Sequence, residues 1–144
     1  VAFDDPSTDE TQYFNVWPDG NFDLRKMQPR GGEDAPGFDI EDIDRPVGST
    51  RQLTFAQDHG GARYTILVYR GKGTVAGVLD DFAVDMSSQG WTASAAFENA
   101  RARVDDFEPA LLMAKGGREA YVSLRANRSE GTVTSTIIVY DQPS

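Results

Sequence analysis

The chain contains no cysteine and one histidine, His59. The first absence excludes disulfides, thiolate nucleophiles, iron–sulfur clusters and zinc–thiolate sites. The second leaves no Ser-His or Cys-His pair that does not use His59 itself. No Gly-x-Ser-x-Gly elbow occurs to accompany His59-Gly60-Gly61, which reads as an exposed hairpin turn. Apolar runs are short, far below the roughly 18 residues that span a bilayer. Positive charge is scarce too: 14 Lys and Arg stand against 23 Asp and Glu, a net charge of −9. Nucleic acid is therefore not an expected partner, because its binding begins with phosphate neutralisation by Lys and Arg. What remains is ordinary for a folded domain, since 39% of the 144 residues are hydrophobic.

That material is distributed unevenly, and the composition divides the chain at Thr50. Residues 1–50 carry twelve acids, four bases and five of the seven prolines. Neither a period of 2 nor one of 3.6 persists there, so the segment reads as an extended, irregular acidic arm without a core of its own. Disordered acidic tails are poor in aromatics, whereas this one holds Phe3, Tyr13, Phe14, Trp17, Phe22 and Phe38, with Ile40 and Ile43 close behind. Rings spaced along a polar, proline-punctuated chain suit anchoring in successive pockets. These six aromatics are the expected partner-binding residues. The surface they meet is either the chain's own domain or another protein.

Residues 51–144 read as an α+β domain. Arg51–Ala56 is a short strand leading to a turn at 57–61, and Ala62–Arg70 is the strongest strand signal in the chain. Thr74 occupies a helix N-cap position before Val75, Val78, Leu79, Phe82 and Met86 at helical spacing. Gly90-Trp91 suits a left-handed C-cap with a folded-back ring. Trp91–Phe97 is expected as a strand and residues 98–106 as a connection. Gly116-Gly117 marks a hairpin between Ala110–Lys115 and Arg118–Ala126, and Thr132–Tyr140 is a last strand. The order β-β-α-β-β-β-β predicts a two-layer sandwich, a mostly antiparallel sheet with one main helix on one face. The other face is left for the arm or for a partner.

Chemical motifs are few. Gly71-Lys72-Gly73-Thr74-Val75-Ala76-Gly77 lies between strand and helix, where a phosphate-binding loop would lie. Its glycine spacing is one residue too long for the dinucleotide fingerprint, and Asp80 and Asp81 follow it. A strand-to-helix turn explains it better. Asp19, Asn21 and Asp23 open like a calcium loop, but Leu24 and Arg30 stand where glycine and glutamate are required. Glu98, Asp106 and Glu108 offer carboxylates that no pattern pairs. Arg101, Arg103, Arg118, Arg125 and Arg128 give the domain a basic side suited to solvent or to docked carboxylates. No catalytic residue, metal site or cofactor is expected.

Tyr69-Arg70-Gly71, the helical Val78-Leu79-Asp80-Asp81-Phe82, the Gly90-Trp91 closure and then Leu111, Met113 and Lys115 resemble small bacterial envelope and lipoprotein domains of uncharacterised function. The likeness covers about residues 51–140, and its motifs are structural. It implies an exported setting. The opening Val1-Ala2-Phe3, without methionine, fits processing of a secretory or lipidated leader. The expected function is a non-enzymatic accessory subunit, periplasmic or on the extracytoplasmic face of a membrane, without a transmembrane segment of its own. It would dock on other protein subunits of a larger, membrane-associated assembly through the arm. A free periplasmic module binding a small molecule or peptide is the alternative, and an enzyme is the third reading.

Overall fold

A computed structural model describes residues 2–5, 10–13, 28–101 and 110–143. Strands β1 (Ala2–Asp5) and β2 (Glu10–Tyr13) pair antiparallel as a separate two-stranded ladder. The main body follows as β3 (Thr50–His59), β4 (Ala62–Lys72), α1 (Val75–Ser88), β5 (Thr92–Ala93), α2 (Ala95–Arg101), β6 (Ala110–Lys115), β7 (Arg118–Asn127) and β8 (Thr132–Asp141). Six strands form one open antiparallel sheet in the order β3-β4-β8-β7-β6-β5. The fold is α+β.

Local chemistry explains these elements. Gly60-Gly61 and Gly116-Gly117 both adopt positive φ, the geometry that lets a two-residue turn follow the twist of its strands. The first closes β3 onto β4 with His59 opposite Ala62, and the second sets Lys115 opposite Arg118. Thr74 starts α1, its Oγ1 accepting the Gly77 N–H at 3.1 Å. The helix ends in a Schellman arrangement: Gly90 at φ 89° donates to the Ser87 carbonyl, and Trp91 N–H reaches the Met86 carbonyl at 3.0 Å. That turn drops the Trp91 ring into the core. Val78, Phe82 and Met86 bury on one stripe of α1, with Val75, Leu79 and Ala83 beside them.

Alternation along the strands sorts side chains between two faces. One register row places Leu67, Ile137, Val122 and Leu111 in line, all buried, and the next does the same for Thr65, Val139, Ala120 and Met113. The apolar residues of these rows join the α1 stripe, Tyr69 and Trp91 in the core.

Several expectations need correction: β3 runs on to His59, so the turn expected over 57–61 is Gly60-Gly61, and α2 takes residues 98–101 of the expected connection. The strand read over Trp91–Phe97 is only Thr92–Ala93, because Ser94 begins a helix: its Oγ accepts the Phe97 N–H and its carbonyl accepts the Glu98 N–H. Gly71-Lys72 does not break the preceding strand either, since Gly71 and Lys72 stay in register with Val133 and Thr132. Glycine at 71 has a packing reason. A Cβ there would lie 3.0 Å from the Ser49 Cα, so the bare backbone lets the incoming chain pass.

Candidate interaction surface

Residues 28–49 contain neither helix nor strand, yet much of this stretch is bound to the domain. Ile43 is 1% exposed and belongs to the hydrophobic core, with Ile40 packed against it. Ala35 is fully buried, and its N–H donates to the Arg51 carbonyl on the outer edge of β3 at 2.8 Å.

Two carboxylate clamps hold the stretch in place. In the first, Asp42 accepts from Lys115 Nζ at 2.6 Å and from Arg118 Nη1 at 2.9 Å, while Arg118 Nε donates to Asp141 at 2.6 Å. The Arg118 guanidinium lies 4.9 Å from the Trp91 ring centre, and Trp91 Nε1 donates to the Asp42 carbonyl at 2.9 Å. Burial pushes the Asp42 carboxyl up, but Lys115 and Arg118 outweigh it and hold the group below the usual carboxylate range. In the second clamp, Asp39 Oδ1 accepts from Arg51 Nη1 at 2.6 Å and from the Tyr69 hydroxyl at 2.8 Å. Arg45 bridges Asp34 and Asp39 at 2.7 and 2.9 Å. The backbone N–H of Arg51, with Arg45 beside it, keeps Asp34 below its ordinary value. Burial and the bond to Asp39 push the Tyr69 hydroxyl well up, so it stays a donor. These clamps are structural. Their groups are consumed by one another, and their chemistry holds the chain in place.

Of the expected aromatic anchors, Phe38 is placed at the domain surface. It is 44% exposed, with the Arg63 guanidinium 6.0 Å from its ring and its carbonyl accepting from Thr54 Oγ1. Phe3 lies in β1 and Tyr13 in β2, where Phe3 pairs with Gln12 and Ala2 with Tyr13. Phe14, Trp17 and Phe22 lie outside the described residues. Arg118 belongs to the first clamp, Arg101 ends α2, Arg103 lies outside the described residues, and Arg125 and Arg128 are at the far end of β7. His59 is exposed as the last residue of β3. Among the described residues, no three His, Asp or Glu side chains converge as a metal site, and no helix is long and apolar enough to cross a membrane.

The surface that sequence reasoning reached only in outline is the second face of the sheet. One row there runs Phe55, Ile66, Ile138, Tyr121 and Leu112 across five strands. Beside it run Leu53, Val68, Thr136 and Ser123, and on the other flank Gln57, Tyr64, Tyr140 and Glu119. Tyr64 is 44% exposed and its ring centre stands 4.8 Å from that of Tyr140. All the other apolar members of the three rows are half-buried. Phe97 of α2 meets Tyr121 edge-on at 6.1 Å, walling the face on its β6–β7 side. What is left is an apolar strip over β3, β4 and β8. Contiguous patches of this kind mark interaction sites more often than scattered exposed residues do. The missed signal was alternation: in TILVYR and STIIVY the residues that face away from the core are as apolar as those facing it.

Compared with known proteins, the chain matches no family model, no curated protein and no solved structure.

Proposed function

We propose that this protein is a non-enzymatic accessory subunit that joins a larger extracytoplasmic, membrane-associated assembly. The observation that carries the reading is the apolar strip on the second sheet face, bounded by α2 and left uncovered among the described residues. A sheet that is apolar on both faces is expected to be covered on both. In this reading the helix and sheet make the two layers of a sandwich, and a partner supplies a third. The aromatics Phe3, Tyr13, Phe14, Trp17, Phe22 and Phe38 add anchors on the same partner. Acids between them add orientation and association rate more than affinity. The exported setting rests on the resemblance of residues 51–140 to envelope domains.

The test is the native size of the chain in mild-detergent extracts of its source cells, followed with an antibody. Migration within an assembly several times larger than 15.8 kDa is expected. A chain found only as a free monomer, with and without prior cross-linking, overturns the reading.

A further inference from the structure

The stretch that carries the clamps is preceded by an exposed turn. Arg30-Gly31-Gly32-Glu33 is closed by the Glu33 N–H, which donates to the Arg30 carbonyl at 3.0 Å. Gly31 and Gly32 adopt φ of 60° and 85°, and a Cβ built on either would meet nothing within 4 Å. Arg30, Gly31, Gly32 and Glu33 are all exposed, and neither helix nor strand holds residues 28–34. Anchoring starts directly afterwards: Asp34 accepts from the Arg51 N–H at 2.8 Å, and Ala35 is fully buried. No other basic residue among the described ones has this setting. Arg45, Arg51, Lys115 and Arg118 are held by carboxylates at 2.6 to 2.9 Å. Arg63, Arg70, Lys72 and Arg125 belong to β4 and β7, interior strands of the sheet, and Arg101 closes α2. Arg128 is exposed in the β7–β8 turn, but Asn127 and Thr132 pair on either side of it, so opening that turn unzips two central strands.

We propose that the Arg30–Gly31 peptide bond is a processing site for an arginine-directed serine endopeptidase, which parts residues 1–30 from a folded unit of 31–144. Such an enzyme takes the arginine side chain into an acidic pocket and needs the bond presented on an accessible, extended stretch of chain. Two glycines can leave a left-handed turn for that geometry without a side-chain clash, at the loss of one backbone hydrogen bond. Water adds across the bond, leaving a carboxylate on Arg30 and an ammonium on Gly31. Every clamp residue, and Ile40 and Ile43 as well, lies on the 31–144 side, so the cut leaves the clamps and the core intact. Phe3, Tyr13, Phe14, Trp17 and Phe22 depart with the released piece, while Phe38 stays with the domain. The site stands whether or not the chain joins an assembly.

The test has two arms. In the first, the full chain meets a small amount of trypsin and the products are followed by mass spectrometry. Fragment 31–144 should accumulate and outlast the intact chain roughly tenfold, with its circular dichroism unchanged, because a further cut requires opening a clamp or the sheet. Arg30→Gln should remove that fragment from the digest while the variant itself stays folded. In the second arm, mass spectrometry of amino termini is applied to the chain recovered from its source cells. Molecules beginning at Gly31 are expected there, and Arg30→Gln should eliminate them. A first tryptic cut inside 31–144, or unfolding once residues 1–30 are removed, overturns the proposal. So does finding the chain in its cells only with residues 1–30 still attached.

Discussion

Ile137 and Ile138 are neighbours in β8 with the same side chain and opposite surroundings. Ile137 is fully buried in the core between Leu67 and Val122, whereas Ile138 sits half-exposed between Ile66 and Tyr121. The contrast extends across the sheet. Every described strand of the central ladder presents one face whose apolar groups stabilise the fold and another whose apolar groups do so only partly. Evolution of a sheet for stability alone would place Thr, Lys or Glu on the second face, as solvated antiparallel sheets do. Here Leu53, Phe55, Ile66, Val68 and Ile138 stand there instead. The difference separates residues that hold the fold from residues that present a surface.

Substitutions can break this comparison. The largest effect is expected for Ile137→Ala, which empties a tightly enclosed site and should cost about 2–5 kcal/mol in urea unfolding. Ile43→Ala should cost a comparable amount, about 2–4 kcal/mol, because that side chain is core although it comes from the acidic segment. A cost near zero would show that residues 28–49 are appended to the domain and contribute little to it. Next comes Asp42→Asn, which leaves Lys115 without its carboxylate and Arg118 with Asp141 alone, for about 1–3 kcal/mol. The smallest effect is expected for Ile138→Ser, under about 1 kcal/mol, with a clear loss of dye binding to exposed apolar surface. Equal costs at 137 and 138 would mean that the second face is covered after all.

The clamps also predict a pH response. Asp34 and Asp42 ionise more readily in the folded chain than in the unfolded one. Their contribution is therefore fully present above the unfolded carboxylate value of about 3.9 and is lost as pH falls through their depressed folded values. Thermal midpoints should hold steady from neutral pH to about 5 and drop below about 4. The double variant Asp34→Asn, Asp42→Asn should start lower at pH 7 and fall less steeply in acid. A parallel fall would place the acid-sensitive groups elsewhere.

Much of the framework was legible because its signals are local. The β-branched run Ala62–Arg70, the cap at Thr74, the Gly90-Trp91 closure and the Gly116-Gly117 turn each act within a few residues, and each has its expected counterpart. The strand expected over Trp91–Phe97 failed because Ser94 followed by Ala95 and Ala96 is a capped helix start, a signal that aromatic content outweighed. The clamps were illegible for another reason. Asp42 meets Lys115 and Arg118 at separations of 73 and 76 residues, and no spacing rule reaches that far. Ile43 was recognisable as apolar, but its destination depends on where those distant cations bring the chain. Adjacency of β4 and β8 is hidden in the same way.

The position of β8 has a consequence for how the molecule comes into being. It is the last of the described strands in chain order, yet it lies mid-sheet between β4 and β7. Until it emerges, the hairpin of β3 and β4 and the ribbon of β5, β6 and β7 share no hydrogen-bonded seam. During synthesis the nascent polypeptide must therefore carry two unzipped halves, and a chain cut short some ten residues before Gln142 would hold separate ribbons in place of a sheet.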